Sequence, residues 1–163
     1  GILFAGKFLA YEGLIEDKNV SWLPSYGPEM RGGTASCSVI ISDEEVGSPI
    51  ISQPDVLIAM NLPSFEKFEP TVKAGGIVIA DSSLIEAKST RTDIDVYYIP
   101  ATALASDMGK QSLANMIILG KLLKVMNDFN EDEIKTVLGK VIPPKKADML
   151  EINMKAMQLG SEN

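Results

Sequence analysis

The chain has no histidine and only one cysteine, Cys37. Without an imidazole it cannot build a histidine-based triad, a histidine-ligated zinc site or a histidine general base. One thiolate cannot form an intrachain disulfide, and it cannot hold an iron–sulfur cluster, which needs several thiolates. Because Cys37 lies within an alternating strand pattern, we expect it to be a small buried packing residue rather than a nucleophile. We therefore predict no catalytic residue and no metal site in this chain.

Positive charge and long apolar runs are also scarce. The 15 basic residues are outnumbered by 22 acidic ones, which gives a net charge of −7. This balance disfavours a nucleic-acid partner, because binding to phosphates needs a basic surface. No apolar run approaches the roughly 20 residues of a membrane span, and no secretory signal is visible. We expect a cytoplasmic protein that neither binds nucleic acid nor spans a membrane.

Length and periodicity predict one α/β domain. A chain of 163 residues, 45% of them apolar, is long enough for a single core. Strand patterns cover residues 19–23, 34–42, 55–60, 77–80 and 96–99. Helical patterns lie before Gly13 and over residues 64–68, 101–108, 112–126, 130–138 and 146–159, with Asn130 and Glu133 as a capping pair. This alternation predicts a three-layer α/β/α sandwich around a largely parallel sheet, with no linker that would mark a second domain.

One loop between two predicted strands combines glycines with functional side chains. It reads Ser25-Tyr26-Gly27-Pro28-Glu29-Met30-Arg31-Gly32-Gly33. The glycines permit backbone shapes that are closed to other residues, and Pro28 fixes its own φ angle. The Arg31 guanidinium could pair with a carboxylate or a phosphate, and aromatic, methionine and arginine side chains are enriched at interfaces. The alternative is an ordinary polar turn.

The same loop, followed by residues 34–42, resembles the gamma subunit of 2-oxoacid:ferredoxin (acceptor) oxidoreductases, and most closely the 2-oxoglutarate type. The resemblance extends to about Leu123. Its further segments are Pro54-Asp55-Val56-Leu57-Ile58-Ala59-Met60-Asn61, Gly75-Gly76, Ile99-Pro100-Ala101-Thr102, and Leu113-Ala114-Asn115-Met116 with Gly120. The resemblance implies the fold of the pyruvate-ferredoxin oxidoreductase gamma domain, with residues 1–163 as one gamma-subunit domain. It also implies that Gly1 ends a glycine-rich turn whose start, with the first strand, is missing from the sequence.

The resemblance further implies a non-catalytic subunit of an oxidoreductase. The complex would carry out CoA-dependent oxidative decarboxylation of a 2-oxoacid to an acyl-CoA, with 2-oxoglutarate as the expected substrate. Thiamine diphosphate, magnesium, iron–sulfur clusters and CoA belong to the complex, and this chain alone would bind no cofactor and have no activity. The expected partners are the alpha and beta subunits, with a delta subunit as a further candidate, and ferredoxin or another electron acceptor reached through the complex.

These implications define a candidate site and leave alternatives open. The loop residues Tyr26, Gly27, Pro28, Glu29, Met30, Arg31, Gly32 and Gly33 would contact a partner subunit or CoA. Gly1, Asn61, Asp81 and Ser82 form a candidate pocket, because ligands bind outside the carboxyl ends of parallel strands. The alternative for Asn61, Asp81 and Ser82 is that they cap turns or helices.

Three other functions stay open at this stage. A stand-alone Rossmann-type nucleotide-binding module fits the alternation, although no acidic residue clearly ends the second strand at the ribose position. A free-standing dimerisation domain is another alternative. The chain could also be a gamma subunit whose complex uses pyruvate or a branched-chain or aryl 2-oxoacid.

Overall fold

The computed structural model describes residues 2–25, 36–48 and 50–163. The helices are α1 (Ile2–Ile15), α2 (Leu62–Phe68), α3 (Ala101–Asp107), α4 (Ala114–Val125), α5 (Glu131–Val141) and α6 (Met149–Glu162). The strands are β1 (Asn19–Ser25), β2 (Ser36–Ser42), β3 (Val56–Ala59), β4 (Ile77–Asp81) and β5 (Asp95–Ile99). The predicted mixture of helices and strands is confirmed.

A parallel sheet of three strands stands at the centre of the fold, in the order β3-β4-β5. Ile79 of β4 lies opposite Ile58 of β3 and Tyr97 of β5. Side chains alternate between the two faces of a strand, so the continuous apolar runs of the sequence supply apolar residues to both faces. The predicted parallel sheet is confirmed in these strands.

Helices cover both faces of this sheet. On one face, the fully buried Ile79 and Ile99 belong to the main hydrophobic core, which also contains Ile117 of α4. On the other face, Val78 packs in a second cluster with Phe65 of α2. Two separate apolar clusters, one on each side of the strands, are what an α/β/α sandwich requires. The predicted fold class is therefore confirmed.

The first two strands form a separate hairpin. In the described part of the chain, β1 and β2 pair only with each other, antiparallel, with Trp22 opposite Val39. The sequence pattern counted both among the strands of the sandwich. Parallel pairing needs a crossover of about a dozen residues or more, usually through a helix. The connection between β1 and β2 is shorter and contains three glycines and a proline, so an antiparallel return is the simpler path.

The hairpin rests on α1 at two glycines. A Cβ atom on Gly6 would overlap the Sγ atom of Cys37 and would lie 3.2 Å from the Nε1 atom of Trp22. A Cβ atom on Gly13, two turns further along α1, would lie 2.7 Å from the Cγ2 atom of Val20 and 3.0 Å from that of Ile41. Both glycines are buried, and the strands approach the helix closely because neither has a side chain.

We expect Gly6→Ala to destabilise the protein by about 1–3 kcal/mol, the usual cost of inserting a methyl group into a filled space. The added Cβ would displace Cys37, so Cys37→Ala should restore much of the lost stability when the two changes are combined. Urea unfolding of the wild type, both single variants and the double variant measures this coupling. If the two substitutions changed the free energy of unfolding additively, the contact with Cys37 would not be what limits the space at Gly6.

Helices α4 and α6 also meet through glycines. A Cβ atom on Gly120 would overlap the carbonyl oxygen of Met157, and one on Gly160 would overlap the carbonyl oxygen of Ile117. The two contacts are reciprocal, because each helix presents a glycine to the backbone of the other. Met157 and Ile117 are fully buried beside them. The absence of side chains at these two positions therefore sets the distance between the helices.

Candidate functional site

The glycine-rich loop that the sequence identifies as functional lies outside the described residues. This applies to Tyr26, Gly27, Pro28, Glu29, Met30, Arg31, Gly32 and Gly33, and also to Gly1 of the candidate pocket. Their roles therefore stay predictions. What the structure describes is the base of the loop, where β1 ends at Ser25 paired with Ser36, the first residue of β2. The loop is carried by the hairpin and not by the parallel sheet.

An exposed apolar surface surrounds this hairpin. Among the described residues, nine large apolar side chains are exposed, and five of them belong to the end of α1 or to the hairpin. We call these five residues together the hairpin patch: Leu14, Ile15, Trp22, Leu23 and Ile41. Trp22 and Ile41 lie on the face of the hairpin that is turned toward α1, and Leu23 lies on the opposite face. Such a concentration of exposed apolar side chains is typical of a surface that contacts another protein.

Cys37 lies in this hairpin as a packing residue. Its thiol is half-buried against Gly6 of α1, less buried than the sequence pattern predicted. Burial raises the pKa of the Cys37 thiol, and a hydrogen bond with Trp22 partly opposes this increase. A raised pKa keeps the sulfur in the thiol form, which is a poor nucleophile. The predicted packing role is therefore supported.

Asn61 lies just beyond the end of β3 and Asp81 is the last residue of the neighbouring strand β4, and both act as caps. The Oδ1 atom of Asn61 accepts a hydrogen bond of 2.9 Å from the backbone N–H of Ser64 at the start of α2. Asp81 is completely buried and accepts bonds from the Thr102 hydroxyl at 2.6 Å and the Ser83 N–H at 3.1 Å. The Ser82 N–H donates to the carbonyl of Ile99 in β5. The capping alternative therefore describes these contacts, and a pocket formed by Asn61, Asp81 and Ser82 stays a prediction.

Three carboxylates meet where the end of α1 lies against the start of α5. Oxygen atoms of Glu12, Glu16 and Glu133 all lie within 4.8 Å of one another. Glu12 is only 4% exposed, whereas Glu16 is at the surface. The Oε1 atoms of Glu12 and Glu133 are buried without a hydrogen-bond partner. We refer to Glu12, Glu16 and Glu133 as the acidic cluster.

Burial and mutual repulsion dominate the electrostatics of this cluster. They raise the pKa of Glu12 to about 8, through burial first and then through the charges of Asp128 and Glu133. Burial and the adjacent Glu16 raise the pKa of Glu133 as well. The ion pairs found among the described residues include neither the cluster nor Asp128. Nothing basic in that part of the chain therefore compensates these carboxylates by a direct contact.

Local structure explains why the cluster forms. Glu12 lies in the last turn of α1 and Glu16 directly follows the helix, where its backbone N–H donates a 3.1 Å hydrogen bond to the carbonyl of Glu12, so the two residues lie close together. Glu133 lies in the first turn of α5, where its backbone N–H donates a 3.0 Å hydrogen bond to the Oδ1 atom of the N-cap residue Asn130. The predicted pairing of Asn130 with Glu133 is confirmed in this bond. No feature of the sequence predicted the cluster, and the spacing of Glu12 and Glu16 was its only local signal.

The described helices give no sign of a membrane span. Among residues 2–25, 36–48 and 50–163, no helix is both long enough and apolar enough to cross a bilayer. This agrees with the absence of a long apolar run in the sequence.

Comparison with known families identifies the chain. The family described as pyruvate ferredoxin/flavodoxin oxidoreductase matches residues 1–163. The chain belongs to this family. The resemblance that its loop and strand segments predicted is therefore confirmed, and the match extends beyond Leu123 to the last helix.

Two archaeal members of the family differ in how much of their length the chain covers. The chain is 35% identical over 163 residues to the ketoisovalerate oxidoreductase subunit VorA of Methanothermobacter marburgensis, covering 99% of the chain but 34% of VorA. It is 34% identical over 166 residues to the 2-oxoglutarate synthase subunit KorC of Methanocaldococcus jannaschii, covering 99% of the chain and 87% of KorC. The chain thus spans about a third of VorA and most of KorC.

Two solved structures of the family show the same fold. The gamma subunit of a keto/oxoacid ferredoxin oxidoreductase from Geobacter sulfurreducens matches with a TM-score of 0.80 and 29% identity, over 99% of this chain and 90% of that one. The 2-oxoglutarate:ferredoxin oxidoreductase of Magnetococcus marinus, solved with 2-oxoglutarate, coenzyme A and succinyl-CoA bound, matches with a TM-score of 0.81 and 25% identity. That match covers 97% of this chain and 28% of the Magnetococcus chain. The predicted likeness to gamma subunits is confirmed.

Proposed function

We propose that this chain is the gamma subunit of a 2-oxoacid:ferredoxin oxidoreductase that acts on 2-oxoglutarate. The observation that carries the proposal is the extent of the match to the 2-oxoglutarate synthase subunit KorC, which the chain covers over 87% of its length. The match to VorA favours a second candidate, in which the complex oxidises ketoisovalerate, a branched-chain 2-oxoacid. The reaction is the same for both candidates, and only the side chain of the 2-oxoacid substrate differs.

In the proposed reaction, the bond between the carboxylate and the keto carbon of the 2-oxoacid breaks and carbon dioxide leaves. The acyl group is transferred to the thiol of CoA, and two electrons pass to ferredoxin or another acceptor. Thiamine diphosphate, magnesium and iron–sulfur clusters supply this chemistry, and we assign them to the partner subunits. The inventory of this chain fits that division, because Cys37 is its only thiol and it has no histidine with which to ligate a cluster.

We assign this chain a docking role through its hairpin. The hairpin patch places exposed Trp22, Leu23 and Ile41 on the same two strands that carry the glycine-rich loop. Buried apolar and aromatic side chains supply most of the binding energy at protein interfaces. We therefore propose that residues 26–33, together with exposed side chains of the patch, contact an alpha or beta subunit, and that Arg31 contacts a carboxylate of that subunit or a phosphate of CoA.

The substrate is tested by purifying the chain with its partner subunits from its native cell. Turnover of 2-oxoglutarate, ketoisovalerate and pyruvate is then measured with CoA and an acceptor dye. We expect kcat/KM to be highest for 2-oxoglutarate, and the chain alone to give no turnover. A complex that prefers ketoisovalerate would support the second candidate. If the chain purified without any oxidoreductase subunits, both candidates would be contradicted.

We expect Arg31→Ala to weaken assembly or CoA-dependent turnover much more than it affects folding. A substitution outside the core usually changes stability by about 0.5 kcal/mol or less, and an arginine in a loop flanked by glycines is not expected to anchor the core. Removing an arginine from a desolvated charge pair typically costs about 2–5 kcal/mol of binding, because the partner charge is left unpaired. Thermal melting of the variant measures the first effect, and co-purification with a CoA titration measures the second.

Two further variants control this experiment. Arg31→Lys keeps the charge but loses the planar fork, so it should recover only part of the lost affinity if the contact is bidentate. Lys145→Ala removes an exposed positive charge elsewhere and should leave assembly unchanged. An Arg31→Ala protein that melts far below wild type, yet assembles and turns over normally, would give Arg31 a structural role instead.

A further inference from the structure

We propose that the acidic cluster of Glu12, Glu16 and Glu133 binds a hard divalent cation, such as Ca²⁺ or Mn²⁺, that links α1 to α5. The observation that carries this proposal is the state of Glu12. Its side chain is more than nine-tenths buried, its Oε1 atom has no hydrogen-bond partner, and it points into a group of carboxylate oxygens. The proposal departs from the sequence-based expectation of no metal site and is independent of which 2-oxoacid the complex uses.

The geometry of the oxygens suits a cation of this class. The three carboxylates offer oxygens no more than 4.8 Å apart. Ligands of Ca²⁺ lie about 2.3–2.6 Å from the ion, so two ligands of one ion are at most about 5 Å apart, and the three oxygens are close enough to share one ion. Small movements of the side chains would therefore be enough to coordinate the ion. All the ligand atoms are carboxylate oxygens, which favour Ca²⁺, Mg²⁺ and Mn²⁺ over softer metals.

The charge balance points the same way. A buried polar atom without a partner costs about 1–3 kcal/mol, and more when it is charged. Here two such atoms, Oε1 of Glu12 and Oε1 of Glu133, lie beside a third carboxylate, with Asp128 close enough to add to the repulsion. A divalent cation would satisfy both oxygens and neutralise most of the charge. Glu16 is exposed, so the site is open on one side to water molecules that would complete the coordination.

The competing explanation is that the carboxylates share protons and bind no ion. The two explanations differ in their response to metal. A cation that binds the folded state and not the unfolded one raises the melting temperature in a concentration-dependent manner. If the carboxylates share protons instead, adding Ca²⁺ or Mn²⁺ at constant pH and ionic strength should leave the melting temperature unchanged.

The experiment uses the whole chain, stripped with EDTA and dialysed into buffer with about 0.1 M KCl to screen weak surface binding. Ca²⁺ and Mn²⁺ are each titrated by calorimetry, and melting temperatures are measured with and without about 1 mM of each ion. We expect one ion bound per chain and a higher melting temperature with metal. Glu12→Gln should weaken binding by at least about tenfold, because it removes a charged ligand.

The variants separate this site from the general negative charge of the protein. Glu12→Gln should no longer respond to metal, because the amide cannot supply the charged oxygen that the carboxylate offers to the cation. Glu133→Gln, on the other helix, should show the same loss of response. Asp132→Asn removes one exposed charge from the same turn of α5 and should bind as wild type does. The proposal is overturned if neither ion binds at about 1 mM, or if both glutamine variants bind as tightly as wild type.

Discussion

Gly120→Ala is expected to remove about 3 kcal/mol or more of stability, a large part of the total for a domain of this size. The new Cβ atom would overlap the carbonyl oxygen of Met157 and lie 2.8 Å from the Cα atom of that residue. Backbone atoms of a helix cannot rotate out of the way as a flexible side chain can. Helices α4 and α6 must therefore move apart, and the packing of the fully buried Ile117 and Met157 is lost with that movement.

Equilibrium unfolding in urea measures the effect, and two variants make it specific. Gly139→Ala is the matched control, because it lies in α5 with open space around it and should gain up to about 1 kcal/mol from helix propensity. Gly160→Ala should be as harmful as Gly120→Ala. The double variant should cost less than the sum, because either change alone already separates the helices. A Gly120→Ala protein as stable as Gly139→Ala would contradict this account of the contact.

Asp81→Ala is expected to cost about 2–4 kcal/mol, because several donors to a buried carboxylate lose their acceptor together. These donors are the Thr102 hydroxyl at 2.6 Å, the Ser83 N–H at 3.1 Å and the Thr102 N–H at 3.3 Å. They hold the end of β4 against the first turn of α3. Hydrogen bonds to a charged group are stronger than those between neutral groups, so the penalty exceeds that of an ordinary cap. Thermal and urea unfolding of the variant measure it.

Asp81→Asn is the matched control, because it keeps an oxygen for the two N–H donors and should recover part of the loss. A double-mutant cycle with Thr102→Val isolates the 2.6 Å hydrogen bond from the Thr102 hydroxyl to Asp81, and we expect a clear coupling energy between the two positions. The same variants test the candidate pocket. If Asp81→Asn folds normally but impairs turnover in the assembled complex, then Asp81 has a role beyond capping. If stability and turnover fall together, then capping is sufficient.

The parts of the fold that could be predicted depend on local patterns. Strands β3, β4 and β5 are short continuous apolar runs, and that pattern is typical of a parallel sheet covered on both faces. The start of α5 follows from Asn130, whose side chain caps its first turn. Helix boundaries were less accurate. The last helix was predicted from residue 146, and it begins at Met149, after a short 3-10 turn over Pro144–Lys146.

The rest depends on contacts between residues far apart in sequence. The meeting of Glu133 with Glu12 requires the path of the chain between α1 and α5, which no local pattern contains. The close approach at Gly120 and Gly160 is similar, since a glycine inside a helix is unfavourable by propensity and only the partner helix explains it. The separate pairing of β1 with β2 was not predicted, because strand propensity does not indicate which two strands pair with each other. The family could be recognised from the sequence because the loop motif itself is specific.

The two glycines beneath the hairpin fix the direction of β1 and β2 relative to α1. A single point of contact would let the hairpin swivel on α1, whereas two contacts about 10 Å apart along the helix fix its direction. The contact at Gly6 involves Cys37, whose cross-strand partner is Pro24, next to the residue that ends β1. Helix α1 therefore holds the hairpin close to the point where β1 ends and β2 begins. Under the docking role that we propose, a substitution at Gly6 or Gly13 should alter how this chain meets its partner subunits without changing a residue of the proposed contact surface.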